Sequence, residues 1–178
     1  MAGGKINLRL PEGWSRRFNA LNDRDDNTQR ADNAAHVQIL MAQLNGEPWL
    51  PDQLYSLLQQ THKNWSLAVS DDGSTDGSVD IIECFARSHR EHSVTIRSGP
   101  GEGFAQNFVG LLRDVDPETP FVAFADQDDK WLPEKLERAL SKLADIEPDE
   151  PALYCGRTWV CSRRLRRLHP SEHFQHEP

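Results

Sequence analysis

Four times between residues 37 and 143, a short apolar run without polar alternation is followed by a turn cluster and then by apolar residues at helical spacing. The first run, VQILMAQL (37–44), ends in Asn45-Gly46, and Leu50, Leu54, Leu57 and Leu58 follow on one helical face. SLAVS (66–70) closes on Asp71-Asp72-Gly73-Ser74 and precedes a stripe of Val79, Ile82, Phe85 and Ala86, for which Ser74 or Thr75 is the expected N-cap. SVTIR (93–97) runs into SGPGEG, followed by Phe104, Phe108, Leu111 and Leu112. FVAFA (121–125) meets DQDD, and Pro133 is placed at a first helical position ahead of Leu136, Ala139, Leu140 and Leu143. ALYCGRTWV (152–160) reads as a fifth strand. Strands that are apolar on both sides, joined by helices, form a mostly parallel sheet covered on both faces. The expected fold class is therefore α/β.

In such sheets ligands bind beyond the carboxyl ends of the strands. Two of those ends carry clustered aspartates, Asp71 and Asp72 after the second strand and Asp126, Asp128 and Asp129 after the fourth. Carboxylates gathered at one sheet edge repel one another and call for a positive counterpart. A hard divalent cation supplies it through oxygen ligands and can bridge to phosphate oxygens. An Asp-x-Asp pair by itself is weak evidence, because turns collect Asp and Gly for backbone reasons. An aspartate-nucleophile phosphatase also uses Asp-x-Asp, but places it at its first strand, whereas here it follows the fourth.

Residues 37–78, VQILMAQLNGEPWLPDQLYSLLQQTHKNWSLAVSDDGSTDGS, closely resemble the opening of family 2 glycosyltransferases of the GT-A fold. FVAFADQDDKWLPEKLERAL (121–140) resembles their metal-binding segment, in the form found in bacterial enzymes that build rhamnose-containing surface polysaccharides. SGPGEGFAQNF (98–108) fits the same group, and the resemblance spans about residues 37–165. It implies inverting, metal-dependent transfer of a sugar from a dTDP- or UDP-sugar to a saccharide or lipid-linked acceptor. It further implies that Ala42 and Asn45 lie against the nucleobase, and that Asp72, more than Asp71, accepts a hydrogen bond from the base's ring N–H. Asp126 would face the ribose or the metal, and Asp128 would bind Mg²⁺ or Mn²⁺. Gly99, Gly101 and Gly103 would let backbone approach the ligand. The chain departs from the family in carrying Leu44 where a Tyr is usual. The family's catalytic base lies beyond the fifth strand. The final stretch, RRLRRLHPSEHFQHEP, shows no match to that segment, although Glu172 and Glu177 are carboxylates. The expectation is a chain truncated after the donor-binding half, and the alternative function is a donor- and metal-binding module that does not turn over.

The organisation expected is a polar, disordered arm over residues 1–35, a nucleotide-sugar-binding domain over 36–165, and a polar tail over 166–178 that begins an acceptor half. A hydrophobic content of 37% fits a chain of which part does not pack on itself. The net charge of −8 argues against nucleic acid as a partner, which requires a basic face. No apolar run has the length of a membrane span and the N-terminus has no signal-peptide core, so the expected compartment is the cytoplasm. A lipid-linked acceptor would bring the chain to the inner face of the membrane. Cys84, Cys155 and Cys161 are read as free thiols. Arg163, Arg164, Arg166 and Arg167 are read as a solvated face, and His169, His173 and His176 as a chance set without a metal. Trp49, Trp65, Trp131 and Trp159 are read as core anchors.

Overall fold

A computed structural model describes residues 35–144, 146, 150–162 and 167–171. The expected arm over 1–35 lies, but for its last residue, outside these, as do Arg163, Arg164, Arg166, His173, His176, Glu172 and Glu177. Two compact units divide the chain after Lys135.

The first unit is built on four strands, β1 (Val37–Gln43), β2 (Trp65–Asp71), β3 (Val94–Ser98) and β4 (Phe121–Asp126), linked by helices α1 (Leu50–Leu58), α2 (Ser78–Ser88) and α3 (Phe104–Arg113). All three pairings are parallel, in the order β3-β2-β1-β4. The chain steps outward from β1 through β2 to β3 and then returns to the other side of β1. Right-handed crossovers put α1 and α2 on one face of the sheet and the returning α3 on the other. The order reverses between β1 and β4, and a crevice opens at such a point beyond the strands' carboxyl ends.

Side-chain alternation agrees with this layering. Ala42, Ser70, Arg97 and Asp126 share one row across the sheet, while Gln43 and Asp71 share the next and point to the opposite face. Arg97, on the first row, pairs with Asp114 just past the end of α3 at 2.7 Å, and its guanidinium lies beside Gly110. Phe124, of the same parity, meets Phe108 of α3 edge-on with ring centroids 5.4 Å apart. The core is β1, buried along nearly its whole length, with Leu50, Leu54 and Leu57 of α1, Leu67 and Val69 of β2, and Ile82 and Phe85 of α2.

The predicted stripes hold on α1 and α2 and fail in part on α3. Phe104 is 77% exposed and Leu112 48%, and the inward positions are Asn107 and Leu111. The N-cap of α2 is Gly77 rather than Ser74 or Thr75. The Asp76 carboxylate accepts the Ser78 N–H at 3.1 Å and so starts the helix later, which leaves Ser74 to the preceding loop. Pro133 lies in a turn two residues before its helix, and the Lys135 N–H bonds to the Leu132 carbonyl at 3.0 Å. Trp65 and Trp131 are buried as anchors, whereas Trp49 and Trp159 are 38% and 48% exposed.

The second unit holds α4 (Lys135–Leu143, whose first residue belongs to the first unit) and a two-stranded antiparallel sheet of β5 (Trp159–Cys161) and β6 (Arg167–Pro170). The fifth strand expected over 152–160 is thus a correction. Residues 152–158 have no regular structure, and only the last part pairs, with a segment downstream. An apolar run becomes a strand only where a partner offers a ladder, and Gly156 interrupts this one. Cys84, Cys155 and Cys161 are free thiols. Among the described residues no helix is long and apolar enough to cross a membrane.

Candidate functional site

The loops that leave β1 and β2 are bonded to each other over their whole course. The Ser74 hydroxyl accepts the Asn45 N–H at 2.8 Å, and the Asn45 side-chain carbonyl accepts the Thr75 N–H at 2.9 Å. The Ser78 hydroxyl accepts the Gly46 N–H, the Asp76 carboxylate the Glu47 N–H, and the Glu47 carboxylate the Gly77 N–H, all within 3.1 Å. Asn45 sits in the left-handed region at φ 49°, a conformation its short polar side chain tolerates. Ala42 is 4% exposed and Asn45 is exposed, so of the two residues expected beside a base only Asn45 reaches the surface. Leu44, beside Asn45 in the chain, is 45% exposed.

The two aspartates at the end of β2 are already engaged. Asp71 points to the α1–α2 face and holds its own turn, accepting the Ser74 N–H at 3.0 Å, the Ser74 hydroxyl at 2.5 Å and the Gly73 N–H at 3.3 Å. The Asp72 N–H continues the ladder to the Gln43 carbonyl at 2.8 Å, which keeps this residue extended and turns its side chain toward the α3 face, as for Ser70. There its two carboxylate oxygens accept the Gly101 N–H at 2.7 Å and the Gly103 N–H at 3.0 Å. The glycines therefore serve the aspartate. Gly101 and Gly103 take φ of 72° and 90°, which a side chain would resist, and aim their amides inward. A carboxylate with two backbone donors retains lone pairs for a further N–H.

Asn107 joins this group, and its sequence position did not single it out. From the first turn of α3 its amide nitrogen donates to the Ser70 carbonyl at 2.8 Å, and its side-chain oxygen is buried beside Gly99. A polar residue on an otherwise apolar helical stripe was the available signal.

On the other side of β1, the strand ends at Asp126 and a turn begins at once over Gln127 and Asp128. The nearness of Asp126 and Asp128 thus comes from the turn rather than from strand alternation. Asp126 and Asp129 are exposed at their surfaces but crowded enough to lose hydration. Burial holds the Asp126 carboxyl above the usual aspartate range, and the charge of Asp128 adds to this. Asp129 is raised first by burial and then by Asp126 and Asp128, with Lys135 opposing. Lys135 is itself held over the Trp131 ring at 4.8 Å.

An acid whose folded pKa lies above its unfolded value binds more protons in the native state. Its contribution to stability is then unpenalised at low pH and falls as pH rises from the ordinary aspartate range through the raised value. Metal-free protein is accordingly expected to lose stability as pH rises from the ordinary aspartate range through the raised values of these two groups. Joint replacement of Asp126 and Asp129 by Asn should flatten that loss in a pH series of thermal melts.

The five aspartates do not close into one cage. Among the described residues no group of three His, Cys, Asp or Glu is placed to hold a metal ion. Asp71 and Asp126 lie at the ends of strands separated by β1, hence about 10 Å apart at their backbones. Only Asp126, Asp128 and Asp129 act electrostatically as a cluster. Their hard oxygens and mutual repulsion suit a cation of the Mg²⁺ type, which is held by one or two carboxylates while substrate phosphates complete its shell. The resulting edge offers an acceptor-rich group at Asp72 and an anionic turn at Asp126–Asp129, on either side of the β1 end.

A family model described as glycosyl transferase family 2 matches residues 38–177. The dTDP-rhamnosyl transferase RfbG of Shigella flexneri is 37% identical over 105 residues, which are 58% of this chain and 36% of that protein. The S. aureus TarS 1–349 structure in complex with UDP superposes with a TM-score of 0.50 at 25% identity, covering 62% of this chain and 32% of that one. The mannosyltransferase PcManGT from Pyrobaculum calidifontis, in complex with GDP-Man and Mn²⁺, shares the fold with a TM-score of 0.57 at 21% identity, covering 75% of this chain and 39% of that one. The chain spans between 36% and 40% of the length of the first curated relatives it matches.

Proposed function

Since the chain belongs to glycosyl transferase family 2, we propose that it binds the nucleotide-sugar donor of an inverting, metal-dependent glycosyl transfer. The observation that carries this reading is the pair of polar groups flanking β1, Asp72 with its glycine loop on one side and the Asp126–Asp129 turn on the other. Asp72 accepts the ring N–H of the base through a charge-assisted hydrogen bond, and Asn45 borders the base while the buried Ala42 lies in the strand beneath it. The glycine loop keeps backbone close to the ligand. Asp126 and Asp128 hold Mg²⁺ or Mn²⁺, with Asp126 within reach of the ribose. The ion offsets the diphosphate charge and stabilises the departing nucleoside diphosphate.

The donor is a dTDP- or UDP-sugar. Rhamnose is the leading sugar, on the strength of the dTDP-rhamnosyl transferase of Shigella flexneri. The acceptor is a growing polysaccharide or a lipid-linked saccharide, met in the cytoplasm at the membrane's inner face. The donor-binding domain falls within residues 36–165.

Isothermal titration with dTDP and UDP, with and without Mn²⁺, tests the reading. Binding that tightens with Mn²⁺ is the expected result, and equal affinity in both conditions would count against it. A transfer assay on the same protein separates an enzyme from a donor-binding module that does not turn over.

A further inference from the structure

The inward face of α1 carries polar side chains where a helix of this kind needs none. Gln53 and Ser56, three apart on the helix, and Gln60 just past its end are at most 2% exposed. Burial of amides and hydroxyls is unfavourable unless they find partners. Some of theirs are within the helix, and those of Ser56 and Gln60 include the backbone that follows the aspartate turn. The Ser56 hydroxyl accepts the Trp131 N–H at 3.0 Å while donating to the Gln53 carbonyl at 2.7 Å. The Gln60 amide donates to the Leu132 carbonyl at 2.9 Å, and the Thr61 N–H donates to the Pro133 carbonyl at 2.9 Å. Three consecutive residues, 131 to 133, are thus bonded to the last turn of α1 and the residues just after it.

We propose that Ser56 and Gln60 are positioning residues for the Asp126–Asp129 turn, fixing its downstream end so that its carboxylates meet the donor's metal in one arrangement. The proposal rests on the assignment of Asp126 and Asp128 as ligands of that ion. Upstream, the turn is fixed by the β1–β4 ladder, which reaches Asp126 opposite Ala42. Downstream, no strand continues among the neighbouring residues, and the clamp on 131–133 takes its place. The buried Trp131 ring supplies apolar anchoring but sets no register along the chain, since dispersion and burial are non-directional. Hydrogen bonds to named backbone atoms do set it. Repulsion among the three carboxylates, which would otherwise splay the turn, gives the clamp something to resist.

The experiment compares wild type, Ser56→Ala and Gln60→Met by titration of UDP or dTDP with and without Mn²⁺, alongside amide hydrogen exchange. The Mn²⁺-dependent gain in affinity should shrink about tenfold or more, the cost typical of outer partners of a metal ligand. Metal-free affinity should stay unchanged, and in Ser56→Ala the Trp131 amide should exchange faster. A parallel fall in both affinities, or an intact Mn²⁺ gain in a folded variant whose Trp131 amide has been released, would overturn the positioning role alone. If Ser56→Ala fails to fold, Gln60→Met carries the same comparison. Absence of any Mn²⁺ gain in wild type would instead defeat the metal assignment, and this role with it.

Discussion

Asp128→Ala is expected to abolish the Mn²⁺-dependent part of nucleotide binding while leaving the melting temperature equal or higher. Loss of an outer partner of a metal ligand alone costs about 10- to 100-fold in affinity, so loss of a ligand should exceed about 100-fold. The stability effect has the opposite sign. Asp128 raises the carboxyls of both Asp126 and Asp129, which means that its charge works against theirs in the folded chain. Its removal relieves that repulsion, and its exposed side chain leaves no cavity. Titration calorimetry with Mn²⁺ and thermal melts without it measure the two effects separately. An unchanged Mn²⁺ gain in Asp128→Ala would remove this residue from the site.

Gly99→Ala is expected to destabilise the protein by about 1–3 kcal/mol, the usual range for overpacking, and to weaken nucleotide binding in the absence of metal. A methyl group there would lie 2.6 Å from an Asp72 carboxylate oxygen, 2.8 Å from the Asn107 side-chain oxygen and 3.1 Å from the Asp72 Cα. None of the three yields easily. The Asp72 oxygen is bonded to the Gly101 N–H, Asn107 is bonded to Ser70, and the Cα belongs to the ladder that the Gly99 N–H extends through the Asp71 carbonyl at 2.7 Å. The methyl therefore displaces the acceptor assigned to the base. Chemical denaturation gives the first quantity, and titration of dTDP or UDP without metal gives the second. A folded Gly99→Ala protein with undiminished metal-free affinity would show that Asp72 does not read the base.

The parts of the site differ in how far they could be read from the chain. The aspartates stood out because two clusters follow two apolar runs, and the sheet does bring both to one edge. Their division of labour did not stand out. Asp71 and Asp72 are neighbours in sequence, yet strand alternation sends them to opposite faces, one to its own turn and the other to the glycine loop. Asn107, Ser56 and Gln60 went unmarked because a polar residue on or just past a helix can be buried only if it has a partner, and the sequence does not show where that partner lies. Those partners lie 37, 75 and 72 residues away. The expected strand over 152–160 failed for a related reason, since composition shows the capacity to pair but not the presence of a neighbour.

Local order along the chain determined the alternation of strands and helices, the α/β class and the residues at each strand's end, because periodicity and turn chemistry act over a few positions. Tertiary structure alone decided the strand order that makes β1 central, the face each aspartate takes, and the hydrogen bonds that occupy Asp72 and clamp residues 131–133. Those features depend on contacts between segments tens of residues apart, whose geometry is set only when the sheet assembles.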